Sequence, residues 1–317
     1  MVPYTCGVSS RQLVVLGTSS QAPTRYRAHN SFVLRWDDQM ILFDPGEGTQ
    51  RQFIFAGLSV ARLTAICITH FHGDHSLGLA GVVQRRALDS RTGASSLQPL
   101  PVFFPADGIE YFERLRSASI FHDTSGVVAQ PISEPGVAGM IGSLELRADY
   151  LSHRVTTLGY RLTERPRRHV KTETLAPLGI SGPDIGRVLR DGSIQTPQGL
   201  VTADDISAVG PGQAMAFVMD TAPCEAAVDL AQDVDLLVAE STYLDSEVEL
   251  AARYRHLTAG QAASIARQAN ARRLVLGHFS ARYRDNSGFA AEAGAIHPDV
   301  VVAEDLAVIA VPSRKAS

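Results

Sequence analysis

Short apolar runs separated by polar or glycine punctuation recur along the whole chain. Leu13-Val14-Val15-Leu16, Phe32-Val33-Leu34 and Met40-Ile41-Leu42-Phe43 predict an opening meander of strands. Gly46 to Ala56 predicts a helix, Ala65 to Thr69 a strand, Leu77 to Leu88 a helix, Val102 to Phe104 a strand and Gly108 to Ser117 a helix. A β-rich stretch, roughly 142–162, closes the first half. The second half repeats the theme with strand 216–219, helix 223–231, strand 235–239, helix 258–270 and strand 273–276. Thr258 suits an N-cap and Asn270 a C-terminal stop. Strand–loop–helix repetition behind a β-rich start predicts an α/β chain, with two stacked sheets covered by helices on their outer faces. No linker or repeat divides it, so residues 1–317 are expected to form a single domain. One segment departs from the pattern. Between Arg161 and Gly192, arginines mix with prolines and glycines and show little apolar periodicity, which predicts a basic insertion (161–195) projecting from the core.

Bulk properties narrow the picture only a little. A formal charge of -4 over 317 residues gives no global basic signature, so a nucleic-acid partner needs a local patch. Three scattered cysteines, Cys6, Cys67 and Cys224, are too few for a disulfide framework and favour a reducing compartment. The first ten residues carry neither a positive n-region nor an apolar h-region, and no window approaches the ~20 apolar residues of a membrane span. The expected address is the cytoplasm, with no membrane partner.

The chemistry concentrates in Thr69-His70-Phe71-His72-Gly73-Asp74-His75, directly after the apolar run Ala65-Ile66-Cys67-Ile68. Imidazole and carboxylate at this density, at the end of a strand, suit zinc and similar borderline ions. Three more candidates share that grammar of an apolar run followed by a ligand: His153, Asp220 and His278. Each alone is more often a satisfied structural residue, but together with the first cluster they predict metal ligands, and the H-x-H-x-D-H pattern, similar to that of the metallo-β-lactamase superfamily, implies a binuclear centre. Its expected ligands are His70, His72 and His153 on one ion and Asp74, His75 and His278 on the other. Asp220 bridges, because a carboxylate has two oxygens and a neutral imidazole one lone pair. Two divalent ions ~3.5–4 Å apart would activate water and neutralise charge in an in-line displacement.

The H-x-H-x-D-H pattern resembles the signature of the metallo-β-lactamase superfamily, which implies an αββα sandwich and metal-assisted hydrolysis. Within it the chain resembles the ribonuclease Z family, the tRNA 3′-processing endonucleases, in their short form. The resemblance rests on Leu16-Gly17-Thr18, Asp44-Pro45-Gly46-Glu47-Gly48, Met219-Asp220-Thr221-Ala222-Pro223, Ala239-Glu240-Ser241-Thr242-Tyr243, His256-Leu257-Thr258 and Gly277-His278-Phe279-Ser280, in that order. It implies two zinc ions per subunit, with manganese as a substitute, and a homodimer. It also implies that Glu240 and His256 form a dyad protonating the departing 3′ oxygen, and that Asp74 doubles as ligand and proton acceptor. Gly182 and Pro183 resemble the glycine-proline motif of the family's tRNA-clamping arm, where Arg165, Arg167 and Arg168 would meet phosphates. Pro23-Thr24-Arg25-Tyr26-Arg27-Ala28 stands in the place of the family's cleavage-site loop. Arg25 and Arg27 are the expected contacts there, and Ala28 departs from an asparagine.

The substrate expected is therefore precursor tRNA, cut to leave a 3′-hydroxyl. The nearest rival is a phosphodiesterase of the same fold acting on small cyclic or nucleotide diesters, which would have no use for the arm. A nucleic-acid-binding protein that has lost catalysis conflicts with the filled ligand positions. A lactonase or sulfatase needs neither the dyad nor the arm.

Overall fold

A computed structural model describes residues 11–92 and 97–314, so Cys6 lies outside the described residues. The chain divides into a larger unit, residues up to 163 together with 214–313, and a smaller one, Glu164–Gln213. In the larger unit two seven-stranded sheets form. The first runs Val308–Ala310, Gln12–Gly17, Ser31–Trp36, Gln39–Phe43, Ala65–Cys67, Leu100–Pro105 and Val127–Ile132. The second runs Val300–Val302, Leu274–Gly277, Leu236–Glu240, Ala214–Val218, Leu158–Glu164, Leu144–Tyr150 and Gly136–Ile141.

Period-two alternation sorts each apolar run between two cores. Leu13 and Val15 join Phe32, Phe43, Phe217 and Val238 in the layer between the sheets, while Val14 and Leu16 face outward with Leu79, Val82 and Phe112 from the helices. On the second sheet Met215 and Phe217 point to the shared layer, and Ala216 and Val218 pack with Ala227, Leu230 and Ala263. The runs are continuous, not alternating, because both faces of each sheet are covered. Phe43 stacks on Phe217 with ring centroids 4.6 Å apart, and Phe32 meets the same ring edge-on at 5.6 Å. Burial of this kind is worth about 1.5–3 kcal/mol per large side chain. The result is the expected αββα sandwich.

Most expected elements appear, with shifted ends. The helix expected from Gly46 starts at Thr49, because Gly48 adopts φ 85° and breaks the turn. The helix expected from Leu77 begins earlier as Gly73–Ser76 and continues as Leu79–Thr92. Thr258 caps Ala259–Gln268 through a capping box with Gln261, and Asn270 follows in the left-handed region at φ 53°. Helices Val248–Tyr254 and Ser287–Gly294 and edge strands Val300–Val302 and Val308–Ala310 had no counterpart in the pattern.

What positions the site is strand direction. Gln39–Phe43, Ala65–Cys67 and Leu100–Pro105 are parallel, and so are Ala214–Val218, Leu236–Glu240 and Leu274–Gly277. Their carboxyl ends deliver Asp44, Thr69-His70, Asp220, Glu240 and His278, as the crevice rule for parallel sheets predicts. Gly78 lies beneath the metal turn, where a Cβ would stand 2.0 Å from the Gly46 carbonyl oxygen.

The smaller unit departs most from expectation. It has its own core of Ile180, Val188, Val201 and Ile206, with Ile185 and Leu189 partly buried against it. The helix Gly182–Asp191 is therefore amphipathic, contrary to the weak periodicity read from the sequence, which Gly182, Pro183 and Gly186 obscure. The unit extends beyond the expected 195 because Ser207–Gly210 returns to pair antiparallel with Arg167–Val170. The expected stretch 161–195 holds seven Lys or Arg and four Asp or Glu, but the whole unit, residues 164–213, holds six of each and is charge-balanced. Arg161 belongs to the larger unit, where its guanidinium donates to the Leu230 and Gln232 carbonyls at 2.9 and 2.6 Å.

Candidate metal centre

All seven expected ligands converge on one end of the sandwich. His70 Nε2 and His72 Nδ1 lie 2.8 Å apart, and Asp220 Oδ2 stands 3.6 Å from His70 Nε2 and 3.7 Å from His153 Nε2. In the second group His75 Nε2 and His278 Nε2 are 3.0 Å apart, with Asp74 Oδ2 at 3.6 and 3.4 Å from them. Asp220 Oδ1 faces this group, 3.3 Å from His75 Nε2 and 3.2 Å from His278 Nε2. Donors of one tetrahedral ion stand about 3.3 Å apart when each bond is about 2.0–2.1 Å. The spacing of both groups fits that edge, and the two oxygens of Asp220 are divided between them.

Backbone strain accompanies the convergence. Asp44, Asp220 and His278 adopt φ of 46°, 44° and 59°, the left-handed region that non-glycine residues rarely enter. The turn after each strand swings the side chain into the crevice.

The tautomers are set from behind. Asp44 Oδ2 is 2.8 Å from His75 Nδ1, so that nitrogen donates and Nε2 keeps its lone pair. Asp44 is held in turn by the Thr69 backbone N–H at 2.7 Å and its hydroxyl at 2.9 Å. His153 Nδ1 lies 3.0 Å from the Arg255 carbonyl oxygen, which frees its Nε2 in the same way. Asp44 appeared in the sequence only as part of a motif, and nothing in the chain marked its support of His75.

Electrostatics agree with a cation site. Burial would raise the Asp220 carboxyl, but His278, His75 and their neighbours hold it well below the usual range. Burial would lower His75, yet Asp220, Asp74 and Asp44 push it well above the ordinary imidazole value. A field that draws a proton to His75 also draws a metal ion. Burial lowers His70, His72 and His153, so these are neutral rings with lone pairs to offer. His153 Nε2, in the first group, and Asp220 Oδ1, facing the second, are buried without a hydrogen-bond partner, a costly arrangement that a cation in each group would resolve. The donor set thus fits two divalent ions.

Glu240 and His256 stand beside the ligands, with Glu240 Oε1 2.9 Å from His256 Nδ1. Burial would lower the His256 ring, but Glu240 first and then Asp220 raise it to about 9. His256 faces a cleft of about 560 Å³ whose wall also includes His72, Asp74, Asp220, Tyr243 and Arg282, with Glu240 buried behind it. A protonated imidazole at the mouth of a cation site can supply a proton to a leaving group.

The expected substrate contacts divide. Arg25 is exposed, but Arg27 is buried, and its guanidinium donates to the Tyr283 carbonyl at 2.8 Å and Asn286 Oδ1 at 2.7 Å. Arg27 is corrected to a structural cation, also lying over the Phe279 ring at 5.4 Å. In the smaller unit Arg165 is exposed, while Arg168 is paired with Asp204 at 2.6 Å. Arg167 lies in the strand Arg167–Val170, and its side chain falls outside what is described. Gly182 and Pro183 form the exposed first turn of their helix, capped by Ser181 and Asp184.

Comparison with known proteins agrees with this geometry. The metallo-β-lactamase superfamily model matches residues 24–157. A ribonuclease Z from Thermobifida fusca is 52% identical over 314 residues, covering 97% of this chain and 97% of that protein. One from Salinispora arenicola is 50% identical over 311 residues, covering 97% and 98%. The crystal structure of the short form of human tRNase Z shares the fold with a TM-score of 0.68 at 24% identity, over 95% of this chain and all of that one.

Proposed function

This chain belongs to the ribonuclease Z family, and on that premise we infer that it is a metal-dependent endoribonuclease removing the 3′ trailer from precursor tRNA. The observation that most supports this reading is the division of Asp220's oxygens between two ligand groups, 2.9 Å-paired Glu240 and His256 standing beside them. We assign His70, His72 and His153 to one ion, Asp74, His75 and His278 to the other, and Asp220 to both. Zinc is the ion we propose, two per subunit, since three imidazoles with a carboxylate at one group and two imidazoles with two carboxylates at the other suit it, and manganese would substitute. Such ions supply Lewis acidity toward water and the scissile phosphate.

The protein's own groups then divide the proton work. Asp74, whose Oδ2 lies 3.6 Å from His75 Nε2 and accepts from the Gln21 backbone N–H at 2.6 Å, takes the proton from the attacking water on its other carboxylate oxygen. His256 donates its proton to the departing 3′ oxygen as the phosphorus–oxygen bond breaks, so the tRNA keeps a 3′-hydroxyl and the trailer the phosphate. Glu240 holds the imidazole by its Nδ1–H, which leaves Nε2 for that transfer. The smaller unit is assigned to tRNA binding, through exposed Arg165 and the bare helix face at Gly182 and Pro183.

A homodimer is supported by exposed apolar side chains on two packed helices, Ile54 and Phe55 on one and Leu88 on the other. No helix among the described residues is long and apolar enough to cross a membrane. The described cysteines, Cys67 and Cys224, are both free, which suits the reducing cytoplasm we propose. Incubating the protein and zinc with a precursor tRNA carrying a 3′ trailer, and mapping both fragment ends, tests the reading. It predicts a single cut at or near the discriminator base with a 3′-hydroxyl upstream. Uncut precursor alongside hydrolysis of small diesters would transfer the assignment to the same-fold rival.

A further inference from the structure

Thr242 is 2% exposed, and its hydroxyl lies at the junction of the acid pair and the second ligand group. Its Oγ1 is 2.5 Å from Glu240 Oε2, 3.0 Å from His278 Nδ1 and 3.3 Å from His256 Nδ1. A hydroxyl has one hydrogen to give, and an ionised carboxylate can only accept. The hydrogen therefore goes to Glu240, the nearer Glu240 Oε1 takes the His256 Nδ1–H, and the hydroxyl oxygen must receive N–H from His278. That requires His278 to carry its proton on Nδ1 and to present a bare Nε2 toward His75, Asp74 and Asp220.

The comparison with His75 shows what this achieves. His75 Nδ1 is backed directly by a carboxylate, Asp44 at 2.8 Å. His278 Nδ1 has no carboxylate against it among the described residues; a hydroxyl intervenes, itself anchored on Glu240. Both histidines of the second group thus have carboxylate support, one direct and one relayed. Glu240 serves two imidazoles at once: Oε1 takes His256 Nδ1–H, and Oε2 takes the Thr242 hydroxyl and, at 3.2 Å, its backbone N–H.

We propose that Thr242 is a positioning residue that fixes the tautomer of His278 and ties that ligand to the Glu240–His256 pair. The proposal rests on the binuclear reading above. It makes ion affinity at the second group and proton donation at the cleft respond to one hydroxyl.

Thr242→Val keeps the branched shape and removes the hydroxyl, whereas Thr242→Ser keeps the hydroxyl. Zinc affinity, measured by competition with a chromophoric chelator, should fall about 10–100-fold at one of the two sites in the valine variant and stay within about 3-fold in the serine variant. On precursor tRNA the valine variant should lose kcat about 10–100-fold with KM nearly unchanged, and serine should recover most of it. Unchanged zinc affinity in Thr242→Val, or equal losses in both variants, would overturn the proposal. If the valine variant does not fold, nitrogen-15 imidazole spectra of the wild-type zinc-loaded protein decide, since His278 protonated anywhere but Nδ1 contradicts it. The zinc measurements need no RNA, so they stand even if precursor tRNA proves not to be the substrate.

Discussion

The metal cleft and the smaller unit handle charge in opposite ways. At the cleft Asp44, Asp220, Glu240, His70, His75 and His278 are essentially sealed from solvent, and each is held by neighbours within about 4 Å. In Glu164–Gln213 the charged groups are mostly exposed and sum to zero, with Arg168, Arg187 and Arg190 each beside an aspartate. Buried groups that pair imperfectly are expensive, so the cleft is preorganised and a single change there should be severe. Exposed pairs contribute about 0–1 kcal/mol each, so the smaller unit should tolerate single changes and act by the sum of its contacts.

The sharpest break of this contrast is Asp220→Ala. It removes the one side chain shared by both ligand groups, and turnover should fall by about three orders of magnitude or more. Zinc content by elemental analysis should fall with it. His256→Ala should lower kcat about 100–10,000-fold while zinc content is kept; lost zinc would place His256 among the ligands.

Excising the smaller unit comes next. Thr163 and Ala214 are register partners in adjacent strands, so a short glycine-serine link can replace the residues between them. Precursor-tRNA cleavage should drop about 10–100-fold in kcat/KM, with hydrolysis of a chromogenic diester retained. Equal loss on both substrates would show that the unit supports the fold and not the RNA.

A pH profile probes the pairing at the cleft. His256 is raised to about 9, against burial, chiefly by Glu240. A proton donor is competent below its pKa, so kcat should hold through neutrality and fall above about pH 9. In Glu240→Gln that falling limb should move toward the ordinary imidazole range, ~6.5. The smallest effect concerns the smaller unit. Asp204→Asn frees Arg168 from its partner and should tighten precursor-tRNA binding about 2–5-fold at low salt, with the gain vanishing as salt rises.

The sequence carried the cleft further than the arm for a physical reason. A ligand after an apolar parallel strand sits at the crevice beyond the strand end, so His70, Asp220 and His278 were readable together, as one repeated pattern, though none was decisive alone. Asp44 and Thr242 were not, because their task depends on which imidazole another strand brings against them. Left-handed φ at Asp44, Asp220 and His278 also has no local cue, since nothing but the site requires it. Arg27 was misplaced because a long side chain can turn inward as readily as outward, and its partners at 283 and 286 are far off in sequence. The smaller unit was read as a basic insertion because its balancing Asp204 and Asp205 lie past the window of arginines. The apolar stripe of Ile185, Val188 and Leu189 is interleaved with Gly186 and follows a Gly-Pro step, which lowers helix propensity.

Anomalous diffraction at the zinc absorption edge, from crystals of the zinc-loaded protein, would locate the pair of ions divided by Asp220. Two peaks ~3.5–4 Å apart are expected, with Asp220 reaching both, His70, His72 and His153 around one and Asp74, His75 and His278 around the other. A single peak, or two that do not share Asp220, would contradict that arrangement.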